Sequence, residues 1–293
     1  MTEQNRSAIL LGLLAVLCWS TVATAFKVAL SHQSLFQLLF VANLVTVAVL
    51  FPIVLWQKKV AELGQQFRRQ SLHAGLLGLV NPVFYYLVLF KAYELLPAQV
   101  AQPINYTWAI TLALLSVPVL GHRFTRVDGV ATAIAYGGVV VISLGGSQSG
   151  TPVTVTGVLL ALFSTLLWAG YWLMKAKDTA DPVVALLHSF ILALPVTGLI
   201  FYFLDSQPNW HWASLLSGIY VGLFEMGITF VFWILALKKA SRASVVSNLI
   251  FISPFLSLVF IYFILGEHIS YLTLVGLVLI VSALVVQSRF QSH

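Results

Sequence analysis

The stretch Gly218-Ile-Tyr-Val-Gly-Leu-Phe-Glu-Met-Gly-Ile-Thr-Phe230 sets a carboxylate, Glu225, among glycines and aromatic residues in an otherwise apolar run. In water this is a core segment with a stranded acid; in a bilayer it is the middle of a spanning helix. The rest of the chain decides between the two. Of 293 residues, 60% are hydrophobic and 8% charged, and the mean hydropathy is +0.97. Soluble domains carry about 25% charged residues, so this chain has too little polar surface to cover a water-soluble fold.

Outward from Glu225, the apolar residues fall into blocks of the length a bilayer demands, roughly 17–25 residues each. Ten are read: Ala8–Leu30, Leu35–Trp56, Leu72–Leu96, Val100–Leu120, Val127–Leu144, Val153–Met174, Pro182–Leu204, Trp212–Leu237, Ala243–Leu265 and Ser270–Gln287, the fifth and tenth being the shortest. The ~10-residue alternating segments of a membrane barrel are absent. The expected fold class is an all-α polytopic membrane protein of ten transmembrane helices. The first block, with Arg6 before it and Ala23-Thr24-Ala25 inside it, imitates a cleavable signal peptide. Hydrophobicity continues to Leu30, so it is read as a retained helix. Cys18, the single cysteine, has no intrachain disulfide partner and reads as a small core residue.

Basic residues in short loops mark the cytoplasmic side. With ten spans and both ends inside, Arg6, Lys58, Lys59, Arg68, Arg69, Arg123, Arg126, Lys175, Lys177, Lys238, Lys239, Arg242 and Arg289 all fall there. The other two of the 15 Lys and Arg residues, Lys27 and Lys91, lie within helices. The net charge of +6 is thus a topology signal and not a nucleic-acid footprint. The expected location is the inner membrane of a cell, multi-pass, with cytoplasmic termini.

An internal match underlies the count. Gly78-Leu-Val-Asn81-Pro aligns with Gly222-Leu-Phe-Glu225-Met, and the register holds to Ala92 and Ala236. After a one-residue insertion, Ala98 pairs with Ala243 and Leu120-Gly121 with Leu265-Gly266; Trp19-Ser20 resembles Trp168-Ala169. Two five-span halves, 1–148 and 149–293, then enter from opposite sides as inverted repeats around a central cavity, an architecture characteristic of transporters with midplane sites.

Here the residues resemble a family. Trp19-Ser20, the Ala-rich start of the ninth block, Ser253-Pro254 within it and Leu265-Gly266-Glu267 at its end, in this order and spacing, are similar to the EamA-type branch of the drug/metabolite transporter superfamily along nearly the whole chain. The resemblance implies export of small metabolites or drugs from the cytoplasm by alternating access. His122 stands where that family often has the Glu of Leu-Gly-Glu, which puts the end-capping role of that position in question in the first half.

Candidate site residues follow from the cost of polarity in oil. An ionised acid at the centre of a span costs about 2.5–3.5 kcal/mol. At 3.6 residues per turn, Gly218, Gly222, Thr229 and Phe232 lie within about 60° of Glu225, a small, polar face suited to close packing or a wet cavity. Glu225 is expected to bind a cationic substrate group or to carry a proton, because an acid moving between oil and water changes protonation; the bland reading is a neutral Glu bonded to a neighbouring helix. The resemblance implies no Glu there, so proton coupling rests on physics alone. Asn81 occupies the matched place. Lys27 and Lys91 are candidates for a gate or a substrate carboxylate partner, against snorkelling to the headgroups, with Glu94 at i+3 from Lys91.

Pro82, Pro103 and Pro254 are expected kinks, since each removes a backbone donor at depth. Gln102, Asn105 and Tyr106 form a polar stripe, and Asn248 lies at similar depth. Trp19, Tyr85, Trp168 and Trp172, with Tyr86, Trp108 and Tyr171, sit inside spans, as core or as flat cavity walls. Trp56, Trp210 and Trp212 mark span ends. Asn43 is the strongly polar interior residue read in the second block, and His188 reads as a satisfied interior histidine before a proton relay.

Other function classes lack their signatures. No His-Glu-x-x-His occurs, Asp181 reads as a helix cap before Pro182, and Gly145-Gly-Ser-Gln-Ser-Gly150 lacks the strand and Lys of a phosphate loop. No filter or charged ring points to a channel. The reading is a carrier without cofactor or metal. Its partners are a small-molecule substrate, amino acids or similar amphipathic compounds first and cationic drugs as the alternative, the lipid bilayer, and protons as candidate coupling ion. Oligomeric state is not encoded.

Overall fold

The computed structural model describes residues 3–121, 124–145, 152–176, 180–240 and 246–290. His122, Arg123, the stretch 146–150, Lys177, Asp178, Arg242 and Ala243, with the side chain of Arg289, lie outside the described residues. Regular structure among the described residues is helical throughout. In chain order it runs α1 (Glu3–His32), α2 (Leu35–Trp56), α3 (Val60–Arg69), α4 (Ser71–Gly78), α5 (Tyr85–Leu95), α6 (Ala98–Tyr106) and α7 (Trp108–Leu120). Then come α8 (Arg126–Gly145), α9 (Val155–Lys175), α10 (Pro182–Leu204), α11 (Trp212–Val221), α12 (Ile228–Lys239), α13 (Ser253–Phe260) and α14 (Tyr271–Phe290).

Counting broken helices as single spans, nine among the described residues are long and apolar enough to cross a membrane. They fall on the first nine expected blocks. The tenth block is helical too, as α14, but its apolar part, Tyr271–Gln287, falls among the shorter apolar helices. The chain is a polytopic helical membrane protein. One element was not expected: the connection after Trp56 carries α3, because Val60, Leu63 and Phe67 give Val-Ala-Glu-Leu-Gly-Gln-Gln-Phe-Arg-Arg a helical apolar spacing.

The helices divide into two compact units, Met1–Val83 with Thr179–Ser257, and Phe84–Asp178 with Leu258–His293. Each unit draws helices from both halves of the sequence. In the first, α1 packs on α11 and α12, while α2 and α4 pack on α10. Two glycines permit the closest approaches. A Cβ on Gly78 would lie 2.5 Å from Ser189 O, and one on Gly222 2.6 Å from Ala42 O, so only glycine fits either place.

One end of this unit is closed by charge. Asp181 Oδ1 accepts from Val183 N–H at 3.0 Å and Val184 N–H at 3.4 Å, capping α10 as expected. Its Oδ2 accepts from the ammonium groups of Lys59 at 2.6 Å and Lys238 at 3.2 Å, and Glu62 accepts from its backbone N–H at 3.0 Å. Burial pushes the Asp181 pKa up, but the Lys59 and Lys238 ammoniums and the helix N–H groups outweigh it and hold the carboxyl below its ordinary value. The opposite end is tied by hydrogen bonds without an ion pair among the described residues: Ser34 caps α2 and donates to Asp205 at 2.5 Å, and Gln37 exchanges bonds with the backbone of Asn209 at 2.7 and 2.8 Å.

In the second unit α5, α6 and α7 pack on α9, and α8 lies along α14, with Gly138 and Gly276 facing each other across the crossing. Glu267 accepts from the N–H groups of Ala98 at 2.8 Å and Gln99 at 3.1 Å, capping the start of α6. The Gln99 side chain donates to His268 O at 2.8 Å and accepts from Ser270 N–H at 3.0 Å, which ties the same helix end to the segment before α14.

Asp181→Ala should lower thermal stability in detergent by about 1–2 kcal/mol, measured at pH 7. Because the folded pKa is depressed, the Asp181 contribution is complete above the unfolded carboxyl value of about 3.9 and fades as pH falls through the lower folded one. The variant's deficit should therefore shrink toward zero in acid. Glu267→Ala should cost about 1–2 kcal/mol, and Glu267→Gln, which keeps one acceptor oxygen, about half of that in the same melt.

Candidate substrate and coupling site

Glu225 lies mid-span and is 9% exposed. It does not stand in a regular helix. Gly222–Gly227 forms a π-helical turn between α11 and α12, and Gly227 leaves helical geometry at φ −107°, ψ −98°. Glycine at both ends makes the wide turn possible. Hydroxyls gather at the loosened carbonyls: Thr229 donates to Phe224 O at 2.5 Å, and Thr46 Oγ1 of α2 is shared between Ala42 O at 2.8 Å and Gly222 O at 3.0 Å. In hydrocarbon such partners are obligatory. The turn adds a residue to the helical register, so the α-helical projection from Glu225 to Thr229 and Phe232 does not hold. Thr229 turns back onto its own helix backbone instead.

Asn81 sits in the corresponding irregular segment, Leu79–Phe84, extended at φ −139°, ψ 115° before Pro82. It is buried, and its side-chain carbonyl meets no donor among the described residues. Pro82 thus marks a real break, as expected. Pro254 stands second in α13, where the tight 3₁₀ turn Asn248–Ile252 gives way to α-helix. Asn248 is exposed at the head of that turn. Pro103 lies inside α6, and the chain breaks four residues later at Thr107, whose hydroxyl donates to Ile104 O at 2.8 Å.

Within the first unit Trp19 packs edge-on against Phe230 at 5.5 Å and Trp233 at 5.4 Å. The adjacent Ser20 hydroxyl lies 3.1 Å from that of Ser253, so Trp19-Ser20 and Ser253-Pro254 meet directly. Lys27 is half-buried on α1. His188 is buried, its ring 4.2 Å from that of Phe67 and its Nε2 3.5 Å from Ser71 Oγ.

The second unit gathers the aromatic residues. Trp168 stacks on Tyr85 at 4.6 Å and on Tyr171 at 5.7 Å, with Trp108 and Trp172 edge-on at 6.4 and 5.9 Å. Trp172 Nε1 is buried without an acceptor among the described residues. The polar stripe of α6 is partly consumed by packing: Gln102 accepts from Tyr93 at 2.6 Å, and Asn105 donates to Ser164 at 3.0 Å and accepts from Tyr85 at 3.4 Å. Tyr106 is half-buried. Lys91 pairs with Glu94 at 2.8 Å on an exposed surface.

Sequence reasoning missed Thr46, Gln37 and Gln99 as buried polar partners, and the cap made by Glu267. Leu265-Gly266-Glu267 pointed at an end-capping acid without revealing that the helix it caps begins at Ala98.

The EamA-like transporter family matches the chain twice, over residues 6–144 and 155–289. The aromatic amino acid exporter YddG of Ancylobacter novellus is 25% identical over 237 residues, 80% of each chain. The uncharacterized transporter YvbV of Bacillus subtilis is 24% identical over 292 residues, 96% of this chain and 91% of that one. A solved structure aligns over 97% of both chains with a TM-score of 0.67 at 22% identity, a likeness of fold. The two family matches together span nearly the whole sequence, so the chain belongs to the EamA-like transporter family and is a membrane transporter, not an enzyme.

Proposed function

We propose that this transporter is a ten-span secondary-active carrier that exports small organic metabolites, amino acids or related amphipathic compounds, by alternating access. In this reading residues 1–148 and 149–293 are inverted repeats, both termini are cytoplasmic and the membrane is a bacterial inner membrane. The observation that carries it is Glu225, a buried mid-span acid held in a π-helical turn whose partner in the other half, Asn81, is also irregular. Discontinuous helices at matched places in two halves are where transporters of this architecture bind substrate and ions.

A further feature supports the repeat. Gly78 against Ser189 O and Gly222 against Ala42 O are a like contact made at places matched in sequence. For substrate, Glu225 is assigned the amino group or a proton. Within the same unit Trp19 and Phe230 offer ring faces, and the Asn81 side-chain carbonyl offers an acceptor that meets no donor among the described residues. YddG, named as an aromatic amino acid exporter, favours the amino-acid reading. Lys27, half-buried on α1, is assigned the substrate carboxylate; if Lys27 plays no part, an exporter of cationic compounds is the second reading, needing only the acid and aromatic walls.

In proteoliposomes the wild-type protein should move an amino acid faster under an imposed pH gradient. Glu225→Gln should lower that gradient-driven flux at least tenfold while counterflow exchange of the same substrate persists. Unchanged pH dependence and substrate range in the variant would remove Glu225 from coupling, and transport of lipophilic cations alone would replace the substrate class.

A further inference from the structure

Helix α3 and its flanks serve no part of the transport reading. The helix runs Val60–Arg69, four residues after the last residue of α2 and two before α4 begins, so its neighbours on both sides are membrane spans. That tether confines it to the membrane–water boundary. Its inner face is spoken for: Lys59 binds Asp181, Glu62 accepts from the Asp181 N–H, Leu63 is buried and Phe67 packs on His188. Its outer face is exposed at Val60, Ala61, Gln65, Arg68 and Arg69. Trp56 and Leu72, just before and after, are 84% and 81% exposed, apolar anchors of the kind that sit at the headgroup level.

The side chains of three cations, two on this face and Lys58 in the turn before it, have no partner among the described residues. No side-chain hydrogen bond or ion pair among the described residues involves Lys58, Arg68 or Arg69. Lys58 is the more telling. Lys59 N–H reaches Val54 O at 3.0 Å and Lys58 N–H reaches Leu55 O at 3.0 Å, the paired bonds of a Schellman ending to α2, with Lys58 in the left-handed position at φ +58°. That position favours glycine, and a lysine there is conformationally unfavourable. A residue kept against its backbone preference points to its side chain. The matched connection between α10 and α11, Asp205–His211, contains no helix, so a helix is not a demand of the fold at this place.

We propose that α3 is an interfacial anchor and that Lys58, Arg68 and Arg69 bind the phosphate groups of anionic phospholipids, on the side that the positive-inside rule makes cytoplasmic. Guanidinium and ammonium groups beside exposed apolar side chains match a headgroup phosphate above acyl chains better than a soluble anion, which would gain nothing from Trp56 or Leu72.

The full-length protein, delipidated in detergent, can be titrated with phosphatidylglycerol and separately with phosphatidylcholine while its thermal stability is followed. The wild type should respond to phosphatidylglycerol at lower concentration. Lys58→Gln, Arg68→Gln and Arg69→Gln should each weaken that response about fivefold, and the triple variant roughly a hundredfold, with phosphatidylcholine unaffected. Arg68→Lys with Arg69→Lys and Lys58→Arg should retain the preference, which separates lost charge from a damaged fold. A triple Gln variant within twofold of wild type would overturn the proposal. So would a charge-conserving variant that loses the preference, or inorganic phosphate stabilising the wild type as well as the lipid does.

Discussion

Hydrocarbon offers no water to a backbone N–H or C=O, so each departure from α-helical geometry inside a span must be answered by another group of the protein. This one constraint orders much of the structure. The π-helical turn at Gly222–Gly227 is answered by the hydroxyls of Thr46 and Thr229. The break at Thr107 is answered by its own hydroxyl, and Ser20 meets Ser253 where α13 begins. Polarity that would be unremarkable in a soluble protein is here placed one hydroxyl at a time, and the interruptions it supports fall where the unusual side chains Glu225 and Asn81 stand. A straight helix would need none of these partners, and would also have no loosened backbone beside the acid.

The comparison of the two halves separates scaffold from function. One contact recurs at places matched in sequence, the glycine approaches of Gly78 onto Ser189 O and of Gly222 onto Ala42 O. What differs is informative. Glu225 stands opposite Asn81 in the alignment, and a threonine hydroxyl of α2, Thr46, lies 3.0 Å from the carbonyl of Gly222. The basic α3 has no counterpart between α10 and α11.

The large features were legible because they are set by solvent. Hydropathy blocks of spanning length gave the helices, and the Asp181-Pro182 pair gave the cap of α10. The internal match from Gly78 to Gly222 gave the two places where spans three and eight break. What could not be read was long-range or irregular. Gly222 and Gly227 read equally well as packing glycines, and only the backbone shows that they bracket a π-turn. The acceptor role of Glu267 depends on Ala98, far away in the sequence, and Gln102 looked free for substrate until Tyr93 claimed it. Helix α3 was hidden because ten mostly polar residues carry little hydropathy signal. Its pattern of Val60, Leu63 and Phe67 becomes meaningful once Leu63 is seen buried beside α10.

The account rests on water reaching a carboxyl at the centre of a span. Glu225→Cys in a Cys18→Ser background, treated in intact cells and in inverted vesicles with a charged, membrane-impermeant thiol reagent, tests this directly. Modification from an aqueous face, slowed by transported substrate, is the predicted result. A thiol that reacts only with lipid-soluble maleimides, and not with the charged reagent from either side, would contradict it.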